Sequence, residues 1–135
     1  MRSLKSLFFL VLLSAFTGAA AQNMPSYDTV RLAVFTDLHV SPGSVADENL
    51  SQAIENVNRS GYDFVIVAGD ISNVGSDAEL ENVFNKLREL TVPYYLIPGN
   101  HETNWSESAC QTINKLWKND RFVFEAGDYI FIGYS

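Results

Sequence analysis

Three short groups of residues in the sequence carry side chains that can bind metal ions or transfer protons. They are Asp37 with His39, then Asp70, and then Asn100 with His101. Carboxylate, imidazole and amide donors without a thiolate favour manganese, iron or zinc over copper(I), but they do not choose among those three metals. The residue types therefore predict metal-dependent chemistry if the fold brings the three groups together.

Each group has an ordinary explanation when it is taken alone. An Asp-x-His sequence occurs by chance in solvated loops, and backbone groups can satisfy Asn100 and His101. Gly69-Asp70 could be a simple turn, although Ser76 caps the helix that follows, so Asp70 is not needed as an N-cap. The positions of the groups relative to the strands decide between these interpretations.

A unit of strand, polar loop and helix occurs three times along the chain. Runs of β-branched and aromatic residues predict strands at residues 30–35, 64–68 and 94–97. Apolar residues at helical spacing predict a helix after each strand: from about residue 47 to Gly61, after Ser76, and over residues 106–118. Ser76 and Glu79 form a capping box that fixes the start of the second helix.

Strands that alternate with helices pair in parallel, because each helix returns the chain to the same end of the sheet. The predicted fold class is therefore α/β, and the three loops that follow the strands share one sheet edge, where ligands usually bind. The five candidate residues converge at this edge. Residues 121–126 and 129–134 then predict an antiparallel hairpin joined by Gly127-Asp128.

In this order the three groups resemble the motifs of the calcineurin-like metallophosphoesterase superfamily. The family motifs Asp-x-His, Gly-Asp-x-x-(Asp/Asn) and Gly-Asn-His-(Asp/Glu) correspond to Asp37-Leu38-His39, Gly69-Asp70-Ile71-Ser72-Asn73 and Gly99-Asn100-His101-Glu102. The resemblance covers roughly residues 31–135. It implies the βαβαβα start of a metallophosphoesterase-type α/β sandwich.

The resemblance also implies a role for each of the five residues. Asp37 and His39 would bind the first of two divalent or trivalent metal ions, Asp70 would bridge the two ions, and Asn100 would bind the second. His101 would lie beside the substrate, where it stabilises the phosphoryl group or protonates the leaving oxygen. The implied reaction is hydrolysis of a phosphate monoester or diester by a metal-activated hydroxide. The alternative is a non-catalytic α/β domain that binds a cation or small ligand.

Two positions depart from branches of the family. Asn73 stands where some members have an Asp that orients the histidine, and Val74 stands where an Arg often follows. These differences weaken the resemblance to the protein Ser/Thr phosphatases. Thr103-Asn104 likewise replaces the Phe-Asp that is typical of the nucleotidase branch.

The predicted ligand set is too small for two metal ions. No histidine follows His101, whereas the family supplies further ligands from a later Gly-His-x-His segment. The 135 residues are therefore expected to be the truncated amino-terminal part of a catalytic domain, and this part alone is expected to bind metal poorly and turn over slowly. A complete but degenerate protein is the alternative.

The first 21 residues have the layout of a cleaved secretory signal peptide. Arg2 and Lys5 precede an apolar run over residues 7–16, and three alanines end at Ala21. The apolar run is too short for a stable membrane anchor. We expect a secreted or periplasmic protein with a lead-in at residues 22–29 and the catalytic part at residues 30–135.

The charge of the chain makes nucleic acid an unlikely partner. The sequence has nine Lys and Arg against sixteen Asp and Glu, and the signal contains two of the basic residues, which leaves a formal charge near −9. The remaining basic residues are scattered rather than clustered along a phosphate-tracking surface. The single cysteine, Cys110, is predicted on the buried face of the third helix, and nothing in the sequence indicates an oligomeric state.

Overall fold

The computed structural model describes residues 29–106, 108 and 110–135, so the predicted signal peptide and residues 22–28 of the lead-in lie outside the described residues. The elements are, in chain order, β1 (Leu32–Phe35), α1 (Val45–Ser60), β2 (Phe64–Ala68), α2 (Asp77–Leu87), β3 (Tyr94–Ile97), a π-helical turn (His101–Trp105), α3 (Gln111–Trp117), β4 (Phe122–Ala126) and β5 (Tyr129–Gly133). Within this described part, no helix is long and apolar enough to cross a membrane.

The sheet confirms the predicted α/β fold with parallel strands. Strands β1, β2 and β3 lie side by side in that order, with Phe35 opposite Val67 and Ala68 opposite Ile97. Strands β4 and β5 form the predicted antiparallel hairpin. All three loops that follow the parallel strands consequently leave the sheet at one edge.

The helix boundaries follow from local capping chemistry. Helix α1 begins two residues before the predicted start, because the Ser44 hydroxyl accepts the Asp47 backbone N–H at 3.2 Å, and it ends at Gly61 with a left-handed φ of 66°. The capping box of Ser76 and Glu79 is confirmed at the start of α2. These caps fix where each helix begins behind its loop.

The core lies between the sheet and the helices. Alternate residues of the strands, such as Val65, Val67 and Leu96, point toward α1 and α2, and the packing includes the buried side chains of Leu50, Ile54, Leu80, Val83, Leu87 and Ile113. On the other face of the sheet, Tyr95 stacks on Phe124 of the hairpin with ring centroids 3.7 Å apart. The sheet that carries the loops is therefore supported from both faces.

The predicted third helix at residues 106–118 is wrong in its first half. The chain forms the π-helical turn immediately after β3, and α3 begins only at Gln111. The Glu102 carbonyl accepts both the Ser106 hydroxyl and the Cys110 backbone N–H, and Cys110 has a left-handed φ of 67° that interrupts the helical path. Cys110 is therefore half-buried before the helix rather than on its face. Burial raises the pKa of its thiol, and the carboxylates of Asp120 and Glu102 add to the increase.

Candidate active site

Backbone hydrogen bonds hold the loop after β1 (residues 36–44) beside the loop after β2 (residues 69–76). The His39 N–H donates to the Asp70 carbonyl at 3.0 Å, and the Val40 N–H donates to the Ile71 carbonyl at 3.0 Å. A parallel bridge between Val40 and Ser72 continues the β1–β2 pairing past the strand ends. The two loops are therefore extensions of the sheet, and their side chains have fixed positions.

Three of the predicted site residues have an unusual backbone conformation. Asp37, His39 and Asp70 have φ values of 52°, 45° and 46°, in the left-handed region that residues other than glycine seldom adopt. Such conformations persist where the surrounding structure imposes them, and they cluster at functional sites. This backbone distinguishes the loops from ordinary turns.

Three side chains converge into a group that could hold a metal ion. Candidate ligand atoms of His39, Asp70 and His101 all lie within 4.8 Å of one another. The two imidazole rings meet edge to face with centroids 4.6 Å apart, and His101 is only 8% exposed. Two imidazoles and a carboxylate suit manganese, iron or zinc, so the donor set fits the metals predicted from the sequence.

The other two predicted ligands lie at the same edge but outside this group. The Asp37 backbone N–H donates to the Gly69 carbonyl at 3.3 Å, and its carboxylate accepts the Thr36 hydroxyl at 2.6 Å. Asn100 precedes the π-helical turn, and its side chain makes no capping hydrogen bond to that turn. The structure thus brings all five residues to one edge and gathers three of them closely.

The ring of His101 is oriented by the backbone of the second loop. Its Nδ1 lies 2.5 Å from the Asn73 carbonyl oxygen. Because a carbonyl oxygen can only accept, Nδ1 carries the proton of this bond and Nε2 is the atom left for a ligand or a second proton. The partner is the Asn73 main chain rather than its side chain, so the replacement of Asp by Asn at this position does not remove the contact.

Glu102 joins the second loop to the third and was not assigned a role from the sequence. This carboxylate is fully buried. Its Oε1 accepts the backbone N–H and the hydroxyl of Ser72 at 3.0 and 2.5 Å, and its Oε2 accepts the Gly99 N–H at 2.8 Å. Glu102 is the fourth residue of the Gly-Asn-His-Glu motif, and this position in the motif is the feature of the sequence that could have indicated its role.

Gly99 allows Asp70 to approach the third loop. A Cβ atom at Gly99 would overlap the Asp70 backbone nitrogen and Oδ1 and would lie 2.8 Å from its Cγ. The Asp70 Oδ1 also accepts the His101 N–H at 3.2 Å. The glycine therefore permits the close contact that brings Asp70 and His101 together.

A parallel sheet with carboxylate and imidazole groups gathered at its carboxyl edge defines an α/β protein with a candidate metal site. Comparison of its sequence with known protein families identifies the family of this protein. Residues 30–133 match the sequence model of the calcineurin-like phosphoesterases, and the chain belongs to this family.

Two individual proteins are similar to this chain. A probable cyclic nucleotide phosphodiesterase from Synechococcus is 32% identical over 81 residues, which cover 55% of this chain and 32% of that protein. The crystal structure of a dimetal phosphatase from Danio rerio superposes with a TM-score of 0.60 at 16% identity, over 76% of this chain and 43% of the other. The chain thus spans less than half the length of each of these two proteins. At 16% identity, the similarity to the Danio rerio phosphatase is one of fold alone.

Proposed function

We propose that the protein hydrolyses a phosphate ester with the aid of two metal ions at the carboxyl edge of its sheet. The observation that carries the proposal is the convergence of His39, Asp70 and His101 within 4.8 Å in a chain of this family. Asp37, His39, Asp70 and Asn100 would be the ligands that this chain contributes, with Asp70 as the bridge, and His101 would lie beside the substrate. The metals would be manganese, iron or zinc.

The chain's own residues prepare the site for this chemistry. Bound cations would supply an activated water and positive charge toward the phosphoryl oxygens. Asp70 keeps acceptor capacity on both oxygens after it accepts the His101 N–H, because an ionised carboxylate has about four lone-pair sites. With Nδ1 bonded to the Asn73 carbonyl, His101 would present Nε2 to the substrate and hold the proton that the leaving oxygen takes.

The substrate proposal starts from phosphodiesters. The Synechococcus relative is described as a probable cyclic nucleotide phosphodiesterase, and a cyclic nucleotide is a diester. Bis-(p-nitrophenyl) phosphate is accordingly the first substrate to test, with p-nitrophenyl phosphate as the monoester comparison. The ratio of the two rates for the full-length protein assigns the ester class.

The decisive variant is Asp70→Asn, with Asp63→Asn as the matched control. The two aspartates flank the same strand, but Asp63 lies at the opposite end, where its carboxylate accepts the Arg31 N–H at 2.7 Å. Residues that only support metal ligands cost about 10- to 100-fold when changed, so loss of a bridging ligand should lower the manganese-dependent rate more than about 100-fold. D63N should keep the wild-type rate.

Undiminished hydrolysis by D70N would contradict this mechanism. A different outcome would favour the non-catalytic alternative: tight manganese binding by the wild-type protein, weakened in D70N, with no hydrolysis of either ester. Calorimetric titration of manganese alongside the rate measurements separates the two results.

We also propose that the protein is exported. The support is the basic, apolar and small-residue order of residues 1–21, with Ala19, Ala20 and Ala21 before the expected cleavage point. Mass spectrometry of the protein from its native host should show a mature chain that begins at or near Gln22. Recovery of an intact chain from the cytoplasm would contradict export.

A further inference from the structure

Trp105 places an exposed aromatic ring directly beside the candidate site. Its ring centroid lies 4.0 Å from that of His101, with 37° between the planes, yet 61% of the residue is exposed. The indole thus contacts the histidine and also faces solvent. Trp105 ends the π-helical turn, a type of local distortion that is frequent at functional sites.

A cavity of about 510 Å³ opens next to this ring. We call it the Trp105 cavity, and it is lined by Val74, Gly75, Ser76, Asp77, Trp105 and Ser108. Its volume falls within the range of about 300–1,000 Å³ that is typical of small-molecule sites. The same indole lines the cavity and contacts the His101 ring, so Trp105 connects the cavity to the candidate site.

The lining of the Trp105 cavity suits a neutral group rather than a phosphate. Among the described residues that line it, Asp77 is the one carboxylate and none is basic. Asp77 is also engaged by the Thr112 hydroxyl at 2.7 Å. Val74, at 54% exposure, adds an apolar wall to the lining. A phosphate would meet a negative charge here without a compensating cation, whereas an uncharged ring would not.

The walls of the cavity are held together by a close backbone contact. Gly75 has a φ of 73°, and a Cβ atom there would overlap the His101 carbonyl oxygen and lie 2.7 Å from the Ser106 Cβ. The second loop therefore packs directly against the turn that carries Trp105. This contact fixes the spacing between the Val74 wall and the indole.

We propose that the Trp105 cavity binds a planar aromatic group of the ester substrate, stacked on the Trp105 indole while the phosphate lies at His101. The proposal rests on the phosphoesterase function proposed above. Aromatic groups prefer offset or edge contacts with an aromatic partner, and such contacts add affinity beyond apolar burial. Trp105 is then a specificity-determining residue for the group attached to the phosphate.

Two non-hydrolysable ligands test this subsite by binding alone. Phenylphosphonate and methylphosphonate share the anionic group and differ in the ring. Trp105 and Trp117 are the two tryptophans of these 135 residues, so Trp117→Phe leaves Trp105 as their one indole reporter. In manganese-loaded W117F protein, phenylphosphonate should change the indole fluorescence and bind about 10-fold more tightly than methylphosphonate, a ratio that equals about 1.4 kcal/mol.

Trp105→Ala should then raise the phenylphosphonate Kd about 10-fold and leave the methylphosphonate Kd within about 2-fold, measured by calorimetry. Trp105→Phe keeps an aromatic face and should retain most of the preference. Equal affinity of the wild-type protein for both phosphonates, or equal losses in W105A, would overturn the subsite while the phosphoesterase site stands. Failure of both phosphonates to bind would overturn the proposed function and the subsite with it.

Discussion

Glu102 and Glu79 are two buried carboxylates that both accept hydrogen bonds from backbone N–H groups and a serine hydroxyl. Glu102 joins Ser72 to Gly99, which are close in the chain to Asp70 and His101. Glutamine at position 102 would direct an amide NH₂ at backbone or hydroxyl donors, so E102Q should lose about 1–3 kcal/mol of unfolding free energy. It should also weaken manganese binding about 10-fold or more, because the loops that carry two candidate ligands lose their link.

Glu79→Gln is the matched control for this prediction. Glu79 accepts the Ser41 hydroxyl at 2.6 Å and the backbone N–H groups of Val74 and Ser76 at 3.0 and 3.2 Å. E79Q should therefore lose comparable stability in urea denaturation but weaken manganese binding less than E102Q does, measured by calorimetry, because none of its partners adjoins a candidate ligand, whereas Gly99 directly precedes Asn100. Equal effects of the two variants on metal binding would show that Glu102 acts only through overall stability.

At the residue scale, the sequence indicated candidate site residues but not the contacts that hold their loops in place. The motifs predicted His39, Asp70 and His101, and the structure gathers them. The motif marks the position of Glu102, but it does not reveal the contacts of this residue with Ser72, 30 residues away. The same applies to the Asn73 carbonyl, because a main-chain acceptor has no residue type to recognise.

At the element scale, Gly75 and Gly43 form a pair for testing how the second loop supports the turn after β3. Both have a φ of 73°, but a Cβ at Gly43 would meet nothing within 4 Å, whereas one at Gly75 would overlap the His101 carbonyl. Alanine at either position costs about 1–2 kcal/mol for the left-handed backbone. G75A should lose more, because the turn that carries His101 must also move.

The measurements are urea denaturation and manganese titration of both variants. G43A should bind manganese like the wild-type protein, while G75A should bind it more weakly. If G75A were no less stable than G43A, the second loop and the π-helical turn would not be packed as closely as the structure shows.

Elements with strong local signals were predicted well, and the region after β3 was not. Alternating strands, Gly61 and the capping box of Ser76 are local features, and they determined the positions of β2, α1 and α2. The turn at His101–Trp105 instead arises from the Glu102 carbonyl, which accepts both the Ser106 hydroxyl and the Cys110 N–H. Helical spacing alone could not reveal that interruption.

At the scale of the whole molecule, a bound metal should stabilise the fold. A ligand that binds only the folded state at about 100 times its Kd adds about 2.7 kcal/mol to the unfolding free energy. Saturating manganese should therefore raise the melting temperature of the wild-type protein, and EDTA should reverse the increase. The His39→Ala variant should show a smaller increase, because the group of three candidate ligands loses one imidazole. An identical increase in H39A would place the bound metal elsewhere.

A half-buried carboxylate, Asp47, and a buried one, Glu79, should make the stability of the molecule sensitive to acid. Burial alone would raise the pKa of Asp47, but hydrogen bonds from Asn82 and Gly43 hold it below its ordinary value. The Lys86 ammonium, 3.2 Å from the same carboxylate, lowers it further. Asp47 of α1 thereby contacts Asn82 and Lys86 of α2, and both of these residues favour its ionised form.

Glu79 lies between the first and second loops, and burial and hydrogen bonds likewise have opposite effects on its pKa. Burial would raise its pKa, but the Ser41 hydroxyl and the N–H groups of Val74 and Ser76 lower it. A lowered folded-state pKa means that the unfolded chain binds more protons in acid. The contribution of Asp47 and Glu79 is therefore fully present above their ordinary pKa values of 3.8 and 4.5, and is lost as the pH falls through the lowered folded values.

The unfolding free energy should accordingly fall below about pH 4.5, by up to about 1.4 kcal/mol per pH unit for each of the two carboxylates. The double variant D47N/E79Q should be less stable at pH 6 and should lose stability less steeply in acid, because neither position can then take up a proton. Urea denaturation of both proteins at half-unit intervals from pH 6 to pH 3 measures the two slopes. Equal slopes would mean that groups other than these two carboxylates control acid unfolding.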